Sequence, residues 1–333
     1  MTFRKLASDI AFIALGLALL AGVVALVTDR RATAREAAAM AAYPPEGQFI
    51  DVGGARVHAV VRGAGPDLVL IHGASGSARD FTFDLMDRLA ADFRVIAFDR
   101  PGMGWSDPHP DAPASPVAQA ETLRAAAQSL GVRRPILVGH SYGGAVAMAW
   151  AVGAPAPPAA IVLLAGATHP WPGDLGLYYS VLTSWAGQHM LIPLITAFGP
   201  RAQAVAVAEG IFEPQSPPPG YTDHIGITLS MRRDTLRLNA LQVGGLKPHV
   251  AAMSPRYAAL EVPIEIVHGT RDTIVGISFH SERMVAEVPG ARLTRLEGIG
   301  HMPHHAATEA VLAAIARAAT RADQARPTTE EPR

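Results

Sequence analysis

The chain of 333 residues has no cysteine. This excludes disulfides, a thiol nucleophile and thiolate metal ligands, and it leaves the compartment open, because such a chain is stable in either redox environment. It also lacks an excess of charge of either sign. Twenty-eight Lys and Arg stand against 29 Asp and Glu, a formal net charge of −1, and no basic cluster occurs. That argues against nucleic acid as a partner. Aromatic residues make up only 6% and charged residues 17%, whereas 49% are hydrophobic. The balance fits a globular protein carrying an additional apolar segment.

That segment is residues 10–27, built almost wholly from Ala, Leu, Ile, Val, Gly and Phe without a charge. It has about the minimum length that spans a bilayer core as a helix. Its composition predicts a membrane anchor. A cleaved signal peptide and a buried globular helix are the other readings; small-residue sites at Ala37-Ala38-Ala39 or Ala39-Met40-Ala41 would serve cleavage. Arg4 and Lys5 precede the run, and Arg30, Arg31 and Arg35 follow it, so the positive-inside rule does not fix a side. The expectation is a single-pass membrane protein with an extracytoplasmic catalytic domain, or a secreted or periplasmic one if the segment is cleaved. Residues 1–42 would form the anchor and a juxtamembrane helix, closed by Tyr43-Pro44-Pro45-Glu46-Gly47.

From residue 48 the pattern changes. Short apolar runs at 49–52, 57–61, 68–71, 95–98, 135–138 and 160–164 read as strands, the first two joined by Gly53-Gly54 as a hairpin. Helical stretches at 81–89 and 118–130 alternate with them. The alternation stops between residues 169 and 253, where apolar helical stretches and a Pro217-Pro218-Pro219-Gly220 turn occur. It resumes with strands at 264–267 and 292–296 and a last helix from 306 to about 321. The pattern predicts a doubly wound, mostly parallel sheet with an antiparallel hairpin at its start. It also predicts a core split into 48–168 and 254–321, a helical cap at 169–253, and a disordered tail at 322–333.

The chemistry centres on Leu137-Val138-Gly139-His140-Ser141-Tyr142-Gly143-Gly144-Ala145. Strand, tight turn and small-residue helix follow one another around Gly139-x-Ser141-x-Gly143, a nucleophile-elbow pattern. A serine hydroxyl is a weak nucleophile and needs a base and a group that orients the base. Asp272 stands in the loop after the strand at 264–267, and Asp174 is the alternative carboxylate. His301, between Gly300 and Met302-Pro303, is the candidate base. His304 and His305, nearer the last helix, are expected to cap that helix or to face solvent. Three neighbouring histidines also raise a metal site, but no carboxylate or cysteine stands at ligand spacing, so neither metal nor cofactor is expected.

These motifs together resemble the α/β-hydrolase superfamily, in its branch of capped serine hydrolases of esterase and lipase type. The matching residues are His72-Gly73, Asp99-Arg100-Pro101-Gly102-Met103-Gly104-Trp105-Ser106, the elbow, Asp272 and Gly300-His301. The resemblance implies that Ser141 attacks a carbonyl, that His301 relays the proton and that Asp272 orients His301. It implies an oxyanion hole from the backbone amides of Ala74 and Tyr142. It also argues against haloalkane dehalogenase and epoxide hydrolase activities, whose elbow nucleophile is aspartate. Arg100 is read as an anchor of its loop and Trp105 as a lining of the pocket. An apolar ester is the expected substrate. The alternatives are a C–C bond, an amide or peptide, or perhydrolysis on the same triad, and a binding protein without turnover. No protein partner is indicated.

Overall fold

The computed structural model describes residues 3–108 and 115–325. Eight strands form one sheet: β1 (Gln48–Val52), β2 (Ala55–Arg62), β3 (Asp67–Ile71), β4 (Arg94–Phe98), β5 (Ile136–His140), β6 (Ala160–Leu164), β7 (Ile264–Gly269) and β8 (Ala291–Leu296). Their order is β1-β2-β4-β3-β5-β6-β7-β8. The β1–β2 and β2–β4 pairs are antiparallel and all other pairs parallel. The doubly wound sheet with its leading hairpin is thus the architecture that the strand pattern predicts.

Each central strand is apolar on both faces because helices cover both. Val69, Ile71, Leu137, Ile161 and Leu163 pack on one side with helices Pro116–Ser129 and Tyr142–Gly153. Leu68, Leu70, Val138, Val162 and Leu164 pack on the other side with Phe81, Leu85 and Met86 and with helix Thr308–Gln324. The period-two alternation therefore sorts side chains between two cores, which explains why the strands read as unbroken apolar runs. The helix expected at 81–89 is two short ones, Arg79–Thr82 and Leu85–Leu89. The last helix runs to Gln324, so the expected tail begins later than residue 322; residues 326–333 lie outside the described residues.

Between β6 and β7 the chain forms only helices and turns. Gly176–Thr183, Ile192–Phe198, Arg201–Gly210 and Arg233–Gly244 are among its helices, and Leu246–Met253 comes near its end.

Residues Phe3–Ala42 form one helix of 40 residues, about 60 Å long at 1.5 Å per residue. From Ser8 it is apolar and long enough to cross a membrane, and its most apolar stretch is wholly exposed. The reading of that stretch as a buried globular helix is therefore not met: nothing among the described residues covers it. The second half is different. Thr28, Ala32 and Ala39 share one helical face and are buried. Arg31 Nε donates to the Ala197 carbonyl at 2.8 Å, and Arg35 Nη2 to that of Gly199 at 2.7 Å, satisfying carbonyls at the end of helix Ile192–Phe198. Arg233 answers from the other partner, reaching Asp29 Oδ1 at 2.5 Å, Thr33 Oγ1 at 2.9 Å and Glu36 Oε2 at 2.8 Å. A stretch that reads as a departing juxtamembrane helix is in fact clamped to the helical segment between β6 and β7.

The small residues after β5 are sterically required. A Cβ on Gly143 would sit 2.1 Å from the Ile71 carbonyl oxygen, and one on Gly139 would sit 2.4 Å from that of Gly143. Both obstacles are backbone, one in β3 and one in the helix after Ser141, and neither can yield. We expect Gly143→Ala to destabilise the fold by on the order of 3 kcal/mol and to lower Tm by about 6–12 °C. An unchanged Tm would show that helix and strand are not in close contact.

Candidate active site

Ser141 joins β5 to helix Tyr142–Gly153 with φ 51° and ψ −118°. A serine seldom adopts positive φ, and the surroundings hold it there. Its amide donates to Leu164 O at 3.0 Å, and its carbonyl accepts from Gly144 and Ala167 at 2.9 and 3.0 Å. The turn raises Ser141 above the carboxyl end of the sheet, where it lines a cavity together with His301.

His301 and Asp272 lie on the loops after β8 and β7. His301 Nδ1 is 2.7 Å from Asp272 Oδ2. A carboxylate accepts only, so Nδ1 carries the proton and Nε2 is left with the lone pair. His268, at the end of β7, shares the same oxygen: its Nε2 is 3.0 Å from Asp272 Oδ2 and 2.8 Å from the Val275 carbonyl, both acceptors. Asp272 Oδ1 accepts from the amides of Ile274 and Val275 at 2.8 and 2.9 Å. Burial alone would push the Asp272 carboxyl up. The bonds from His268, His301 and the Val275 amide outweigh it and hold the group well below the usual carboxylate range. The loop before His301 is fixed by Gln215, whose Oε1 accepts from the Gly300 amide at 2.9 Å.

Ala74 follows Gly73 in a loop that passes directly over the serine: a Cβ on Gly73 would meet Ser141 Cβ at 3.1 Å. Ala74 lines the cavity, and the Tyr142 amide is the first of its helix, at the positive end of the helix dipole. Arg100 secures this loop. Fully buried, it donates from Nε to His72 O at 3.0 Å and from Nη2 to Gly73 O at 2.9 Å, and its Nη1 reaches Gln119 and Gln242 at 2.7 Å each. Burial pulls its pKa down to about 10, which still leaves it charged at neutral pH. Asn239 adds a second hold, accepting from the Ser75 amide at 2.7 Å. Neither glutamine nor Asn239 stands out in the sequence, because each lies in a helix far from the loop it holds.

The cavity measures about 470 Å³. Tyr178, Tyr179, Val207, Ile211 and Phe212 line it from the helices after β6, and Ser141, His301, His140 and Asp80 are among its polar groups.

Other expected site residues lie elsewhere. Trp105 does not line this cavity. Its Nε1 donates to Tyr43 O at 3.1 Å, so its ring fastens the chain just after the N-terminal helix, and the pocket-lining expectation is corrected. Asp174 is exposed in a separate depression beside Trp171 and Lys247, away from His301. His304 and His305 neither cap a helix with their rings nor face solvent. Their Nε2 atoms lie 3.0 and 2.8 Å from the two oxygens of Asp80, and Tyr221 Oη donates to Asp80 Oδ1 at 2.8 Å. Asp80, more than 220 positions away in sequence, draws them inward. Burial would raise its pKa, but His304 and His305 hold it well below the usual range.

Two other buried histidines make stability depend on pH. His72 Nδ1 bonds Gly73 O at 2.8 Å, and its Nε2 accepts from the Arg100 amide at 3.0 Å. His280 Nδ1 accepts from the amides of Thr168 and His169, each at 3.1 Å. Burial, reinforced by Arg100 for His72 and by His169 for His280, pushes both pKa values down to about 3. The unfolded chain binds these protons near pH 6.5 and the folded chain does not. Stability contributed by the neutral rings is therefore complete above pH 6.5 and is lost as pH falls from there toward 3, at about 1.4 kcal/mol per pH unit for each ring. Thermal melts at pH 7.5 and 5 should show a lower Tm at pH 5, and His72→Gln should reduce the difference. Equal values at both pH would contradict this.

Sheet order, elbow and a histidine–aspartate pair at adjoining strand ends define a hydrolase of the doubly wound α/β type. The chain belongs to the alpha/beta hydrolase family, whose model matches residues 68–314. It is 28% identical over 294 residues to an uncharacterized protein of Mycobacterium tuberculosis, covering 84% of this chain and 82% of that one. Among solved structures it resembles a bacterial membrane phospholipase A described as a virulence factor, with TM-score 0.67 and 21% identity, over 96% of this chain and all of the other. It also resembles the esterase RhEst1 from Rhodococcus sp. ECU1013, with TM-score 0.65 and 24% identity over 82% and 98% of the two chains. At these identities the structural likeness speaks for the fold.

Proposed function

We propose that the protein is a membrane-anchored serine hydrolase that cleaves carboxylic esters with an apolar acyl group. The observation that carries this reading is the 2.7 Å bond from His301 Nδ1 to Asp272, which turns a bare Nε2 toward the cavity shared with Ser141. In this mechanism Nε2 takes the proton of Ser141 Oγ as the hydroxyl attacks the ester carbonyl. The resulting oxyanion is met by the amides of Ala74 and Tyr142, each such donor being worth about 3 kcal/mol in the transition state. The imidazolium then protonates the leaving alkoxide. Water, deprotonated by His301, hydrolyses the acyl-Ser141 ester and restores the enzyme. Asp272, ionised throughout, stabilises the imidazolium.

The apolar walls and a volume of about 470 Å³ favour a medium or long acyl chain over a polar or charged one. The exposed apolar stretch of the N-terminal helix supports anchoring, and the clamp on its second half would hold the catalytic part against the bilayer surface.

Labelling with a fluorophosphonate probe, followed by p-nitrophenyl esters of increasing chain length, tests this. Wild type should be labelled, Ser141→Ala should not, and turnover should peak beyond the acetyl ester. Labelling without ester turnover would redirect the search to amides, C–C bonds or peracid formation on the same triad. A folded wild type that resists labelling would overturn the mechanism.

A further inference from the structure

Behind Ser141 lies a group of side chains that the ester mechanism does not use. His140, Asp80 and His304 are 4%, 6% and 1% exposed. One donor atom from each lies within 4.8 Å of the other two, and His140 Nδ1 is 3.9 Å from Asp80 Oδ2. Hydrogen bonds fix which lone pairs remain. His140 Nε2 is 3.1 Å from the His301 carbonyl, an acceptor, so it carries the proton and Nδ1 is bare. That Nδ1 is buried without a hydrogen-bond partner. His304 Nε2 bonds Asp80 Oδ2, and its Nδ1 is likewise buried and unpartnered. One bare imidazole nitrogen, a second imidazole bonded to the carboxylate and the carboxylate itself thus stand together, and neither Nδ1 has a hydrogen-bond partner. Each buried acceptor left so destabilises the fold until something occupies it.

We propose that Asp80, His140 and His304 form a binding site for a divalent cation of the zinc class in the wall of the cavity. Two imidazoles and a carboxylate are a donor set suited to zinc, and a cavity wall leaves the fourth position open to water. The outer bonds are those that orient metal ligands. His140 donates its other N–H to a backbone carbonyl, and Tyr221 and His305 hold Asp80 Oδ1, so that Oδ2 points into the cluster. His304 Nε2, which faces Asp80, ligates in the tautomer that carries its proton on Nδ1. Tetrahedral zinc with bonds of 2.0–2.1 Å sets its ligand atoms about 3.4 Å apart, so the cluster must close by roughly an ångström. Rotation of the two rings supplies that movement.

Binding does not depend on the serine-hydrolase reading; its consequence does. The His140 ring lies 5.0 Å from that of His301. A dication there opposes the imidazolium that catalysis requires, so zinc should inhibit ester turnover reversibly.

The test is titration of the full-length protein in detergent with Zn²⁺ by calorimetry and with Co²⁺ by visible absorption. Wild type should bind one equivalent, with the intense d–d bands of four-coordinate cobalt. His304→Gln and His140→Gln, checked for folding, should each weaken binding at least ten-fold and abolish those bands. If neither variant folds, anomalous diffraction from zinc-soaked wild-type crystals decides, by a peak bonded to all three side chains. No binding by wild type, unchanged binding by folded variants, or a peak elsewhere would overturn the proposal. Zinc bound at this site without effect on turnover would leave the site standing and count against the inhibitory role alone.

Discussion

Ser141→Ala and His301→Gln should each lower kcat by on the order of 10⁶, and the double variant should be no slower than either single one. In the proposed mechanism the two groups act as a unit. Without the hydroxyl the base has nothing to activate, and without the base the hydroxyl stays protonated. What remains is the binding cavity and the amides of Ala74 and Tyr142, which would still stabilise an oxyanion formed by attack of water. Neither variant should unfold, because both side chains face the cavity and neither carries packing between the sheet and its helices. Rates measured with the same p-nitrophenyl ester, beside a thermal melt of each variant, check this. A loss of only ten-fold at an unchanged Tm would mean that another nucleophile serves, and multiplicative losses would mean that Ser141 and His301 work in separate steps.

Asp272→Asn should lower kcat by about 10⁴ with little change in KM. The carboxylate accepts four hydrogen bonds, from His268, His301 and the amides of Ile274 and Val275. An asparagine keeps its carbonyl oxygen on the two backbone amides and turns its NH₂ toward the histidines. That NH₂ cannot accept from His301 Nδ1. The ring must then present a bare Nδ1 and carry its proton on Nε2, where it can no longer take one from Ser141. Charge is lost as well: nothing negative faces the imidazolium. Fluorophosphonate labelling should slow along with kcat, since both need the same proton transfer. Labelling at the wild-type rate would show that Asp272 is not the orienting group.

The parts of the site that sequence reveals are those whose partners adjoin in topology. Ser141, Asp272 and His301 each follow a strand, and the fold gathers strand ends, so reading the strands suffices to bring them together. The glycines around Ser141 are legible for the same reason, since a strand-to-helix turn at that tightness leaves no room for Cβ. Other pairings stay hidden. Asp80 meets His304 and His305 only because helix Arg79–Thr82 lies beside the loop after β8, and nothing in either stretch announces the other. This is why His304 and His305 read as capping or solvent-facing residues, and the three neighbouring histidines as a set without a carboxylate. His268 was within reach of reading, four residues before Asp272 at a strand end, but its apolar setting resembles that of a core side chain. Trp105 misleads because it sits in a glycine-rich loop at the correct end of the sheet, while its indole turns toward Tyr43. The clamp on the N-terminal helix is invisible for a different reason: Ala-rich and Arg-rich turns suit a solvated helix as well as a docked one.

That clamp makes the first helix a shaft in fixed phase with the hydrolase, where a flexible tether would leave the domain free to tumble. The apolar stretch and the docked stretch belong to one continuous helix, so in the proposed anchored protein helical geometry would decide which side of the domain meets the bilayer. One extra residue between Val27 and Arg31 would turn the anchor by about 100° against the domain, and seven, close to two turns, would bring it back to nearly the same bearing. With the proposed anchor in a bilayer, the mouth of the cavity would have a compass direction relative to the lipid surface, and the number of residues in a helix far from Ser141 would set it.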